Sequence, residues 1–157
     1  MNIRLFFLSC ISVGSFFAGH EVHVLSALPL KPSFLKQLAE TSKKHCKKEN
    51  GLTTKVKAHS KKKITFSLLK GKKQISTVRA YYYKEECLYI DWVATKKKYR
   101  KQGHATNLLK ILFDASKEQG VECLELWSFK SARPLYEGLG FYKLEDEENL
   151  ILMRKDL

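Results

Sequence analysis

No two of the four cysteines, Cys10, Cys46, Cys87 and Cys123, form a C-x-x-C pair, which removes the spacing of a zinc site. With Cys10 in a segment set apart below, three would remain. An odd number implies no full disulfide framework, and buried or free thiols are the expectation. Proline is scarce, at three, and glycine is limited to eight, so the chain lacks the composition of a disordered polymer. Acidic residues are few: 16 Asp and Glu face 29 Lys and Arg, for a formal charge of +13. Such a balance favours an anionic partner: nucleic acid, an acidic protein, an anionic membrane or a phosphorylated cofactor. The long apolar stretch Leu5 to Gly19 is too short and too weakly flanked for a membrane span. "HEVH" at 20–23 lacks the H-E-x-x-H spacing of a metalloprotease and carries no metal.

What is present suffices for one ordinary domain of 157 residues, with 44% hydrophobic and 11% aromatic content. Arg4 followed by Leu5–Gly19 fits the positive and apolar regions of a targeting segment. Residues 1–27 are therefore expected to be a signal-like leader or anchor that associates with membrane through residues 5–19, and residues 28–157 the folded domain. This reading makes the protein exported or membrane-anchored. The alternative takes "NIRLFFLS" as a buried first strand of a cytoplasmic protein.

Within the domain, residues 32–48 carry Phe34, Leu35, Leu38 and Ala39 at helical spacing, with lysines at the end where a helix dipole is negative. Strands are expected at 64–69, 75–83 and 87–95, joined by turns short enough for an antiparallel meander. A helix over 104–119 follows, with Leu108, Leu109, Leu112 and Ala115 on one face and Gly120 at its end. Residues 121–127 read as a buried strand, Ser131 as the cap of a short helix ending near Gly138, and 141–144 and 150–154 as two last strands. This order predicts a mixed α/β layer fold.

The stretch "KKKYRKQGHATNLLK" at 96–110 lies where the third of these strands gives way to a helix. At such a junction several backbone N–H groups lack internal partners and point along the positive end of the helix dipole, a natural anion site. Gly103 removes a side chain there, and Arg100 and Lys101 add charge. "YRKQGHA" matches the R/Q-x-x-G-x-G/A motif through Arg100, Gly103 and Ala105, and "SARPLYEGLGF" at 131–141 resembles a second signature, YE-x-LGF. By these motifs and their spacing, residues 60–157 resemble the GCN5-related N-acetyltransferase (GNAT) superfamily. The resemblance implies a GNAT-like mixed sheet: antiparallel N-terminal strands, a splayed central pair and flanking helices.

It also implies an acetyl-CoA-dependent N-acetyltransferase that moves an acetyl group directly to a primary amine in a ternary complex. The main chain of Val93, Ala94 and Thr95 would pair with the pantetheine arm. Arg100, Lys101, Gln102, Gly103, His104, Ala105 and Thr106 would bind the pyrophosphate, chiefly through backbone amides. Tyr136 would protonate the departing thiolate, against the plainer reading that it packs under the short helix with Leu135 and Leu139. Asp91 and Glu125 are both candidates for the base, and His104 reads as a surface residue. The segment "WSFKS" carries Ser128 and Ser131 where many members have an asparagine. No metal and no nucleic acid are expected. A non-catalytic acyl-CoA-binding protein is the alternative, and a basic nucleic-acid module using Tyr81, Tyr82 and Tyr83 is a third reading. Strand alternation counts against the last, because it sends Tyr82 to the face opposite Tyr81 and Tyr83. The acceptor and the partner amine are not encoded in these motifs.

A chain beginning at Leu28 is expected to stay soluble and to keep acetyl-CoA binding, measured by calorimetry. Aggregation of that chain beside soluble full-length protein would instead make "NIRLFFLS" a strand whose loss bares its neighbour's edge.

Overall fold

A computed structural model describes residues 34–46, 51–59, 63–84 and 86–157. The segment 1–27, the helix start at Pro32–Ser33, "HEVH" and Cys10 lie outside the described residues. Among the described residues no helix is long and apolar enough to cross a membrane.

The described elements run α1 (Phe34–Lys44), β1 (Leu52–His59), β2 (Lys63–Lys70), β3 (Lys73–Lys84), β4 (Cys87–Thr95), α2 (His104–Glu118), β5 (Cys123–Phe129), α3 (Arg133–Glu137), β6 (Tyr142–Asp146) and β7 (Leu150–Asp156). The seven strands form one sheet in the order β1-β2-β3-β4-β5-β7-β6. All neighbours are antiparallel except β4 and β5, which are parallel. Parallel neighbours need a crossover, and α2 supplies it.

The layer on one face of the sheet follows from periodicity. Leu108, Leu109, Leu112 and Ala115 recur at helical spacing on α2 and are fully buried. They join Leu35 and Leu38 of α1 in one core with Ile64 and Phe66 of β2, Val78 and Ala80 of β3, Leu88 and Ile90 of β4, and Leu124 and Leu126 of β5. Tyr82 shares this face through an edge-on contact with Phe34, at 5.4 Å. Tyr81 turns the other way and stacks on Tyr89 at 5.2 Å. The alternation expected for the tyrosines is thus observed for this pair, which serves packing. α2 closes on Gly120 at φ 72, with the Val121 N–H donating to the Ser116 carbonyl at 3.0 Å. This is the left-handed ending a glycine permits.

Three expectations are corrected. β1, Leu52–His59, is a strand that the sequence reading missed. It sits at the sheet edge, and its lysines, Lys55 and Lys57, alternate with Thr54, Val56 and Ala58, so it shows little apolar signal. Ser131 does not cap the short helix. It lies in a 3₁₀ turn, Lys130–Ala132, and α3 begins after Ala132 with no side-chain cap. Finally, Cys87 and Cys123 are joined in a disulfide with Cα atoms 4.7 Å apart, whereas free thiols were expected. The two residues are direct partners on the first rung of the parallel β4–β5 pair, a register that a separation of 36 positions hides in the sequence. Cys46 remains a free, half-buried thiol.

The disulfide closes a loop containing all of β4, the basic turn and all of α2. Loop-closure entropy for a span of 36 residues is worth about 4 kcal/mol. Replacing both Cys87 and Cys123 by Ala should therefore lower the free energy of unfolding in urea by that order, with a matching fall in the midpoint. An unchanged midpoint would mean that the bond does not form in solution.

Candidate active site

β4 and β5 are paired over three rungs only: Cys87 with Cys123, Leu88 with Leu124 and Tyr89 with Glu125. β4 continues to Thr95 and β5 to Phe129 without a further rung between them. β3 holds the other edge of β4 as far as Thr95, and β7 holds the other edge of β5 as far as Phe129. Each strand thus keeps its outer partner while the two inner edges separate. The separated edges leave backbone N–H and C=O groups of β4 facing a cleft, where an extended ligand with amides of its own can pair as an added strand. Val93, Ala94 and Thr95 lie on this stretch. Where β3 meets β4, the register slips between Arg79 and Ala80, and Asp91 is the extra residue. Such a bulge bends its strand and increases its twist.

The separated strand runs into the basic loop. A 3₁₀ turn, Lys97–Tyr99, is followed by Arg100–Gly103, and α2 starts at His104. Gly103 caps that helix at φ 75, ψ 2, and Lys101 is also left-handed at φ 59. The Gly103 carbonyl accepts from the Asn107 N–H at 2.9 Å, the first bond of the helix. The N–H groups of His104, Ala105 and Thr106 come before that bond and have no partner within the helix. A Cβ built on Gly103 meets nothing within 4 Å, so the backbone here borders open space. No acidic residue occurs between Lys96 and Thr106, and Lys96, Lys97, Lys98 and Lys101 are all exposed. Amides, dipole and lysines together make an anion cradle at the mouth of the cleft.

The individual side chains differ from simple expectation. Arg100 donates from Nε to the Thr95 carbonyl at 3.0 Å, so it ties the loop back to the strand that precedes it. Gln102 donates to the Lys98 carbonyl at 3.3 Å and lies 3.2 Å from His104 Nε2. These contacts brace the loop and leave its main chain to face a ligand. A shallow groove of ≈ 200 Å³, whose lining includes Thr77, Trp92, Ala94 and Lys96, runs beside the same stretch of β4.

Tyr136 is 7% exposed, and its ring meets Phe141 edge-on at 5.7 Å, with Phe113 of α2 beyond at 5.8 Å from Phe141. Its ring partner is Phe141, and Leu135 is exposed. Burial pushes the phenol up to about 12. The hydroxyl therefore carries its proton throughout the neutral range.

The two carboxylates weighed for the base have different surroundings. Asp91 is held by Arg79, whose Nε lies 2.9 Å from both carboxylate oxygens and whose Nη2 is 2.8 Å from Oδ2, with Lys63 at 3.9 Å. Glu125 is 4% exposed, and its Oε1 lies 3.6 Å from Arg154 Nη1. With Cys87 and Cys123 it forms a buried group of candidate ligand atoms within 4.8 Å of one another. The two sulfurs there are spent in the disulfide, which fits a covalent staple and not a metal site.

The acetyltransferase (GNAT) family matches residues 38–141 of this chain. Among curated proteins, none matches the sequence. Solved structures share the fold. A GNAT family acetyltransferase from Elizabethkingia anophelis with acetyl-CoA bound superposes with a TM-score of 0.59 at 15% identity, over 69% of this chain and 100% of that one. PaiA N-acetyltransferase from Thermoplasma acidophilum in complex with coenzyme A gives 0.57 at 13% identity, over 61% and 62%. Tetrahymena GCN5 gives 0.53 at 20% identity, over 60% and 68%. The sheet is the mixed one expected, antiparallel on its N-terminal side with a splayed central pair, and the family match spans most of it. The chain belongs to the GNAT family of acetyltransferases.

Proposed function

We propose that the protein is an acetyl-CoA-dependent N-acetyltransferase that passes the acetyl group directly to a primary amine while both substrates are bound. One observation carries this reading: the unpaired inner edge of β4 leads straight into an anion cradle. A ligand that joins an extended, amide-bearing arm to a pyrophosphate satisfies both halves at once. Acetyl-CoA has that form, and the Elizabethkingia and Thermoplasma relatives were crystallised with acetyl-CoA and with coenzyme A.

In this reading the amides of Lys101 to Thr106 hold the pyrophosphate, and the lysines at 96–98 attract the charged end of the cofactor. The main chain of Val93, Ala94 and Thr95 pairs with the pantetheine arm. A backbone N–H of β4 polarises the thioester carbonyl and stabilises the charge that develops as the amine attacks. The Tyr136 hydroxyl, protonated at neutral pH, serves as the donor to the departing sulfur. Residues 1–27 act as a leader or anchor. A disulfide persists best outside a reducing cytosol, and the Cys87–Cys123 bond supports an exported or membrane-anchored protein.

Two variants test the cradle and the donor. Gly103→Asp sets a carboxylate against the phosphates at a φ that Asp tolerates better than most residues. It should remain folded and lose measurable acetyl-CoA binding in calorimetry. Unchanged affinity would remove the cradle from the account. Tyr136→Phe should keep acetyl-CoA affinity and lower kcat by about 10²–10⁴-fold, the usual worth of a general acid. An unchanged kcat, with chemistry limiting the rate, would leave Tyr136 as a packing residue. Acetyl-CoA binding without thiol release in the presence of amines would favour a non-catalytic acyl-CoA-binding protein.

A further inference from the structure

We propose that the acceptor amine carries a carboxylate at its far end, and that the groove beside β4 reads this group through Lys96. The proposal rests on the acetyl-transfer reading above and names the class of acceptor for the same site.

Charge is distributed unevenly along the chain. Residues 51–110 hold 16 Lys and Arg against three Asp and Glu. Their excess equals the whole formal charge of +13, so the rest of the chain is balanced. This stretch builds β1 to β4, the basic loop and the start of α2. It thus makes one wall of the cleft and its mouth, and concentrates the positive field where substrates enter.

The groove opens on a defined face. Val78 of β3 and Val93 of β4 are register partners and turn toward the core under α2. By strand alternation Thr77, Arg79, Trp92 and Ala94 turn to the other face. Leu35 of α1, Leu108 of α2 and Tyr136 of α3 enter one core, so the three described helices share the first face. A second substrate therefore approaches the stretch Val93–Thr95 from the side of Trp92 and Ala94. The groove lies over β3 and β4, about one strand spacing, ~4.8 Å, from the unpaired edge.

Its lining offers a cation and no anion. Gln74, Thr77, Trp92, Ala94 and Lys96 border its ≈ 200 Å³. Gln74 donates to the Thr77 hydroxyl. The Lys96 N–H donates to the Ile75 carbonyl at 2.9 Å, which fixes the root of its side chain. Among the described residues no carboxylate pairs with the Lys96 ammonium. The one acidic residue of β4, Asp91, is held by Arg79 and approached by Lys63, and Arg79 also lies over the Trp92 ring at 5.7 Å. Two cations about one carboxylate leave that side of the groove positive as well.

Size and sign then choose the ligand. The volume is below the ~300 Å³ at which ordinary ligand pockets begin, so it takes a short stem. A diamine sets its second ammonium against Lys96 and is repelled. A plain alkylamine leaves Lys96 unanswered. A carboxylate pairs with it, and the amine of the same molecule is left to reach the edge of β4. One uncommitted ammonium matches the single charge of a carboxylate.

The test measures CoA thiol release at saturating acetyl-CoA with three amines that share a four-carbon stem: 4-aminobutyrate, n-butylamine and 1,4-diaminobutane. At low salt kcat/KM should fall in that order, by about 10-fold at each step. In about 1 M salt, where the Debye length is ~3 Å, the three should converge. Lys96→Gln should cut the preference for 4-aminobutyrate over 1,4-diaminobutane by about 10-fold. Lys117→Gln, in the last turn of α2, should leave that preference unchanged. Because acetyl-CoA saturates throughout, a Lys96 that serves only the cofactor would move all three amines together in Lys96→Gln, and that result would overturn the proposal. Equal rates for the three in wild-type protein, or 1,4-diaminobutane as the best acceptor, would also overturn it and leave the acetyl-transfer reading standing. Bound acetyl-CoA with no thiol released by any of the three would overturn that reading and the proposal with it.

Discussion

The separation of β4 from β5 after three rungs governs this molecule. A parallel pair inside a sheet ordinarily continues to the ends of its strands, because an inner backbone edge left without partners costs free energy. Here both strands keep their outer neighbours, β3 and β7, so neither can shift to meet the other. The separated edges persist because the surrounding layer holds them. α2 covers β2, β3 and β4 on one face with Leu108, Leu109 and Leu112, and the same core takes residues from both sides of the gap, Ile90 of β4 and Leu126 of β5. The Cys87–Cys123 bond fixes the closed end.

The same crossover that makes β4 and β5 parallel also puts the N-terminus of α2 at the open end of the cleft. Strand, loop and helix are consecutive in the chain, so the anion cradle and the unpaired edge cannot be placed independently. Lysines at 96–98 and 101 form a local share of the overall charge of +13, set beside the helix N-terminus. The left-handed residues Lys101 and Gly103 turn the loop so that its main chain leads, while Arg100 and Gln102 bond back into the protein.

How much of this could be read from the sequence depended on whether the signal was local. α2 was legible because its leucines recur at helical spacing and Gly120 ends it. The cradle was legible because Arg100, Gly103 and Ala105 fall within six residues. β1 was not, since its core-facing positions, Thr54, Val56 and Ala58, are weakly apolar and lysines stand between them. The separation of the strands was expected only through the family resemblance, and the Cys87–Cys123 bond was not expected at all. The bond depends on the register between strands whose partners are 36 positions apart, and no spacing along the chain encodes it. The surroundings of Asp91 and Glu125 likewise needed Arg79 and Arg154, which reach them from neighbouring strands. Tyr136 was found through its motif, but the ring cluster behind it was not, because Phe113, which meets Phe141, comes from a different helix.

The central claim is that one ligand spans the unpaired edge of β4 and the N-terminus of α2. Amide hydrogen exchange followed by mass spectrometry, with and without saturating acetyl-CoA, measures this directly. The account predicts slowed exchange in two stretches, Val93 to Thr95 and Lys101 to Thr106, with little change in β1, β2 and β6. Protection confined to other strands, or no protection where calorimetry detects binding, would contradict it.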